Sequence, residues 1–230
     1  MSTKMLHKKL RLVDVFSVAT GAMISSGLFI LPGLAFAHSG PAVIVAYIIA
    51  SLLVLPAILS KAELVTAMPK AGGVYFFIDR SFGPLFGTIG GVSSWFSLSF
   101  KSAFALTGMS FFALHIFPGI SEQHIKLIAV ALCTVFTLIN IFSIKSASKF
   151  QVVLVFGLLG LLALYIVRGF PHVDVKRFTP FIPYGWKSLF LTAGMVFVSF
   201  GGLTKIACVA EEVENPGRNI PLGMLLSFFI

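Results

Sequence analysis

Charge is what this sequence has least of: 11% of its 230 residues are Asp, Glu, Lys or Arg, and only 8 of them are acidic. A domain surrounded by water carries charge on about a quarter of its residues, so this scarcity excludes an ordinary soluble fold. Cysteine is nearly absent. The two present, Cys133 and Cys208, sit in apolar runs without a CxxC or Cys/His partner, which excludes a disulfide framework or zinc site and leaves packing as their expected role. Catalytic signatures are missing too: there is no HExxH and no nucleophile elbow, and GTIGGV at 87–92 follows no strand, so it reads as a helix-packing pattern. His38, His115, His124 and His172 fall in or beside loops without metal-ligand spacing. Neither an enzyme nor a bound cofactor or metal is expected.

Apolar residues fill the space, at 57% of the chain with a mean hydropathy of +1.00. About 20 such residues in a row cross the hydrocarbon layer of a bilayer. Runs of that kind are predicted at about 14–37, 41–60, 84–114, 125–143, 150–168 and 187–210, with a further one starting near 220. Asp14 is the expected N-cap of the first, and HSGP at 38–41 supplies a turn whose Pro41 opens the second. The segment 61–83 is less uniformly apolar and reads as an interfacial cytoplasmic hairpin or short amphipathic helix. With no visible repeat and no linker, residues 1–230 form one all-α polytopic membrane domain.

The net charge of +9 does not point to nucleic acid, because its cations are scattered over short loops. Placing the N-terminus in the cytoplasm puts most loop lysines and arginines inside, among them Lys8, Lys9, Lys61, Lys70 and Arg80. The expected location is the cell membrane, inner or plasma. The first apolar run is too long for a signal-peptide core and lacks a cleavage site, so it is expected to stay in the bilayer.

Two apolar runs contain residues that a simple spanning helix would avoid. GAMISSGLF at 21–29 places Gly21, Ser25, Ser26 and Gly27 within barely two turns, and FVSFGGLTKIA at 197–207 joins Gly201 and Gly202 to Thr204 and Lys205. Each glycine costs about 1 kcal/mol of helix propensity relative to alanine. Peptide groups freed by a break at membrane depth need a partner, and paired breaks of this kind mark the midplane binding site of secondary transporters. The competing reading is that Gly21, Ser25 and Gly27 let helices pack closely.

Ionisable groups inside the runs are few. An amine at the middle of a span costs about 2.5–3.5 kcal/mol, so Lys101 is expected to face the bundle interior, where Ser93, Ser97 and Lys101 form a polar stripe. It is either a coupling or substrate group or a structural partner to a carbonyl. Lys205 is a second interior candidate that would exclude cationic substrates, unless it snorkels to the cytoplasm. Glu211, Glu212 and Glu214, followed by Asn215-Pro216 and Arg218, end the sixth run as a charge cluster.

Three stretches resemble the amino acid/polyamine/organocation permeases. GAMISSGLFILPG resembles their first-helix motif, MPKAGGVYFFIDRSFGPLFG their P-x-A-G-G-x-Y loop, and FGGLTKIACVAEEVENPGRNIPLG the end of their sixth helix. The resemblance implies the N-terminal half of an inverted-repeat fold of five plus five helices, with first and sixth helices broken. It also implies a secondary active transporter of amino acids or related amines working by alternating access. On this sequence the implied carboxylate subsite is Ser25, Ser26 and Gly27, with Ile24 lending a carbonyl. The substrate amine would meet carbonyls near Phe197, Ser199, Phe200 and Gly201, and the ring of Phe197 or Phe200 would cover it. Glu211, Glu212, Asn215 and Arg218 become a cytoplasmic gate. Ser25 stands where the family usually has glycine, and Gly157 where several relatives carry a lysine, so the coupling ion, proton or sodium, is left open. At about half the family's usual length, the chain is expected to need its missing C-terminal half or a partner subunit. The alternative is a non-transporting membrane binding or structural subunit, or a truncated remnant of such a permease.

Overall fold

The computed structural model describes residues 10–70, 72–116, 124–142 and 144–230, apart from the side chains of 25, 26, 114–116, 139, 140, 142 and 144–149. Among the described residues ten α-helices follow in order: α1 Leu12–Phe29, α2 Leu31–Ser39, α3 Val43–Ala67, α4 Gly73–Phe82, α5 Pro84–Ile116, α6 Ile125–Phe142, α7 Ile144–Gly169, α8 Gly185–Phe197, α9 Ile206–Val209 and α10 Pro216–Phe228. Among the described residues there is no strand, only one isolated bridge between Leu10 and Val213. The helical stretches Gly27–Ala67, Phe150–His172 and Gly185–Glu212 are long and apolar enough to cross a bilayer. The molecule is an all-α, multi-pass membrane protein.

Local chemistry places most helix ends, with shifts from expectation. Asp14 is not the N-cap of α1 but its third residue, and its carboxylate reaches back to accept from the Arg11 N–H at 2.9 Å, as the acidic member of a capping box does. Helix α3 continues through Ala67, so 61–67 extend a span instead of opening the interfacial segment. The short helix of that segment is α4, which folds back on α5. A Cβ at Gly87 would lie 2.7 Å from Asp79 Cβ, and one at Gly91 would lie 3.0 Å from Tyr75, so GTIGGV does serve close packing. Asn215 takes a left-handed conformation at φ 46 and Pro216 starts α10, where a missing N–H costs nothing.

The core lies around α1. Its residues Val15 and Ala19 pack with Val54, Ile58 and Val65 of α3, with Leu203 and Ile206, and with Ile220 and Met224 of α10. In a bilayer such contacts act through dispersion and small-residue fit, since lipid tails are as apolar as leucine. A buried polar clasp reinforces them: Thr20 donates to Ser227 Oγ at 3.0 Å, and the Ser227 hydroxyl lies 3.1 Å from the Phe16 carbonyl. Large apolar side chains elsewhere face outward, including Leu52, Phe100, Val153 and Tyr165. The two cysteines depart from their expected packing role, for both are exposed. Helical periodicity turns Cys208 away from the buried neighbours Ile206 and Ala207.

Candidate functional site

Both suspect runs are interrupted, but in different ways. The first stays α-helical from Leu12 to Phe29, straight through GAMISSGLF, and the discontinuity falls at Ile30 (φ −113°, ψ −44°). The expected break at 21–27 is therefore displaced. Leaving each peptide group unpaired in hydrocarbon costs several kcal/mol, against about 1 kcal/mol of propensity per glycine, so the helix persists. Pro32 decides the position, because it lacks the N–H that would bond residue 28 and its ring crowds that carbonyl. The small residues serve contact instead. A Cβ on Gly27 would lie 2.9 Å from Ser199 Cβ, and one on Gly21 would lie 3.2 Å from Gln151 of α7.

The second run loosens where expected. After α8 the chain tightens into a 3-10 helix over Val198–Lys205, eight residues long, about twice the usual length of such segments. Its hydroxyls bond three residues back, Ser199 to the Val196 carbonyl at 2.7 Å and Thr204 to that of Gly201 at 2.8 Å. This segment crosses α1 at close range. A Cβ on Gly202 would collide with the Ala22 carbonyl, so only glycine fits at the crossing.

At that crossing a cation is already in place. Lys101 of α5 donates from Nζ to the Ala22 carbonyl at 2.9 Å and to the Ser199 carbonyl at 3.3 Å. The side chain thus links the two interrupted runs. A carbonyl pair that holds one ammonium can hold another.

Beside the crossing opens a cavity of about 800 Å³, bounded by α1 to α5, the end of α8, the 3-10 segment and α9. Gly27, Ser199, Gly201, Lys101 and Lys205 line it, as five of the predicted residues. Other predicted residues fall elsewhere. Ile24 does not line it, and the N–H groups of 25–27 are taken up by the i−4 carbonyls of α1 itself. The side chains of Ser25 and Ser26 lie outside the described residues. Phe200 packs into the core against Phe228, with ring centroids 5.9 Å apart, and Phe197 is absent from the lining. The aromatic walls come instead from Trp95, Phe100 and Phe104 of α5 and Tyr75 of α4. Lys61 was also missed, since α3 outruns its predicted end. Trp95 lies six residues before Lys101, about 120° away round α5, so the polar stripe carried no signal for it.

The acidic cluster closes the far end of the sixth run. Glu212 accepts from the Leu10 N–H at 3.0 Å, and the Glu214 N–H donates to the Leu10 carbonyl at 2.8 Å. Arg11 lies 3.7 Å from the Glu214 carboxylate. Asn215 ties in through its carbonyl, which accepts from the Arg218 N–H at 3.0 Å. A Cβ at Gly157 of α7 would meet nothing within 4 Å.

Comparison with known proteins agrees with this architecture. A family model described as amino acid permease matches residues 10–230. Cationic amino acid transporter 1 of Arabidopsis thaliana is 29% identical over 240 residues, covering 98% of this chain and 40% of the relative. The branched-chain amino acid permease BcaP of Bacillus subtilis is 28% identical, covering 99% and 52%. The methylthioribose transporter of the same bacterium is 28% identical, covering 97% and 52%. The chain spans about half the length of these curated relatives.

Proposed function

This chain belongs to the amino acid permease family, and from that premise we propose that it forms the substrate-binding half of a secondary transporter. The cargo is an amino acid or related small molecule, moved by alternating access. The observation that carries this reading is the carbonyl pair of Ala22 and Ser199, held together by Lys101 at the wall of a cavity large enough for such a substrate. Main-chain acceptors on two interrupted helices are how transporters of this architecture bind charged groups at membrane depth. The crossing of α1 with the 3-10 segment would be the moving joint, and the Leu10, Glu212 and Glu214 clasp the inner gate together with Glu211, Asn215 and Arg218.

The N-terminus lies in the cytoplasm in this reading, by the distribution of loop cations, and the protein resides in the cell membrane. Transport draws on a proton or sodium gradient, and the protein performs no catalysis. A C-terminal half, in the same chain or supplied by a partner subunit, completes the scaffold around α1 and the sixth run. The test is uptake by the full-length protein in sealed vesicles, over a broad panel of amino acids and amines. Gradient-dependent accumulation of any of them is the expected result, and no transport of any of them overturns the reading.

A further inference from the structure

We propose that the cavity selects an anionic substrate, a small organic acid or acidic amino acid, with Lys101 standing in the place that a substrate ammonium would otherwise take. The inference rests on the transporter reading and specifies its cargo. Three lysines line the cavity, Lys61 from α3, Lys101 from α5 and Lys205 from the end of the 3-10 segment, and none of the described residues lining it is Asp or Glu. A cleft carrying one sign of charge concentrates ligands of the other sign and repels its own.

Lys101 makes the selection sharper. Its ammonium occupies the Ala22 and Ser199 carbonyls at 2.9 and 3.3 Å, so a ligand amine must either displace it or sit beside a like charge. Two of its three donors are engaged among the described residues, and the third is available to a carboxylate oxygen. Lys205 and Lys61 border the same cavity and can serve a second acidic group.

Binding of four probes to the full-length protein, by calorimetry in detergent and by uptake into vesicles, tests this. L-glutamate and succinate are expected to bind and to compete with each other, with L-leucine weaker by about tenfold or more and L-arginine weakest. Lys205→Glu, at an exposed side chain, should reverse the glutamate-to-arginine preference. Lys101→Gln should raise arginine affinity about tenfold by freeing the carbonyl pair. If Lys101→Gln fails to fold, the Lys205→Glu result decides alone. Tighter binding of arginine or leucine than of both acids overturns the inference while leaving the transporter reading standing, as does an unchanged preference in the variants. Absence of transport across the broad panel sinks the transporter reading itself, and this inference with it.

Discussion

The stretches 21–29 and 198–205 cross each other, share glycine and serine as their distinguishing residues, and take different backbones. The first is regular α-helix to Phe29, and the second is a 3-10 helix throughout. Glycine content alone does not separate them. In the first, the small residues admit neighbours while the α-helical ladder stays closed. In the second, hydroxyls bond three residues back, and Lys101 engages the Ser199 carbonyl from outside. Lys101 engages the Ala22 carbonyl of the regular helix as well, so what distinguishes the second run is the pair of hydroxyls that bond three residues back within it.

The largest expected effect breaks the crossing itself. Gly202→Ala drives a Cβ into the Ala22 carbonyl, and should cost about 3 kcal/mol, the upper end of overpacking penalties. It would be read as a loss of thermal stability in detergent. A melting temperature equal to the parent's would mean that the two runs do not touch.

Lys101→Met removes the ammonium that joins the runs and with it two charge-assisted hydrogen bonds. A destabilisation of about 1.5–3 kcal/mol, the worth of hydrogen bonds to a charged group, is expected. Substitution by arginine, which keeps charge but changes shape, should recover part of it. Were methionine to stabilise the protein, the cation would be a burden on the fold and not its tie.

A subtler comparison pairs Gly27 with Ser199, whose Cβ lies 2.9 Å from a Cβ built on Gly27. Gly27→Ala should cost about 1 kcal/mol, and Ser199→Gly in the same chain should restore it. Pairs in contact show coupling of about 0.5–3 kcal/mol in a double-mutant cycle, and strict additivity would show that this contact does not exist.

The smallest effect sharpens the contrast within one dipeptide. A Cβ at Gly201 would meet nothing within 4 Å, so Gly201→Ala should be neutral or stabilise by up to about 1 kcal/mol through the unfolded chain. Beside the loss expected at Gly202, that difference of sign between adjacent glycines is measurable by the same melts. Equal losses at both positions would show that helix distortion, and not the contact with α1, is what glycine supplies.

Much of the architecture was legible residue by residue. The membrane-helical class could be read from apolar run lengths, and the loosened second run from its paired glycines. The end of the first helix was legible too, though in Pro32 and not in the glycines and serines before it. The site residues depend on distant packing. Phe197 and Phe200 are the aromatic cover that the family resemblance implies, and Phe200 packs into the core against Phe228. Trp95, Tyr75 and Lys61 stand at the cavity instead, brought there from three other helices.

By itself the sequence determined residence in the bilayer and the approximate positions of its helices. Those properties are sums of transfer and propensity terms over neighbours in the chain, and need no knowledge of distant partners. Only the tertiary structure decided which carbonyls are engaged and by what. Lys101 and Ser199 are 98 positions apart, and Lys101 and Ala22 are 79 apart. No local rule ties such positions together, because their meeting depends on how α5, α1 and the 3-10 segment pack around Gly202.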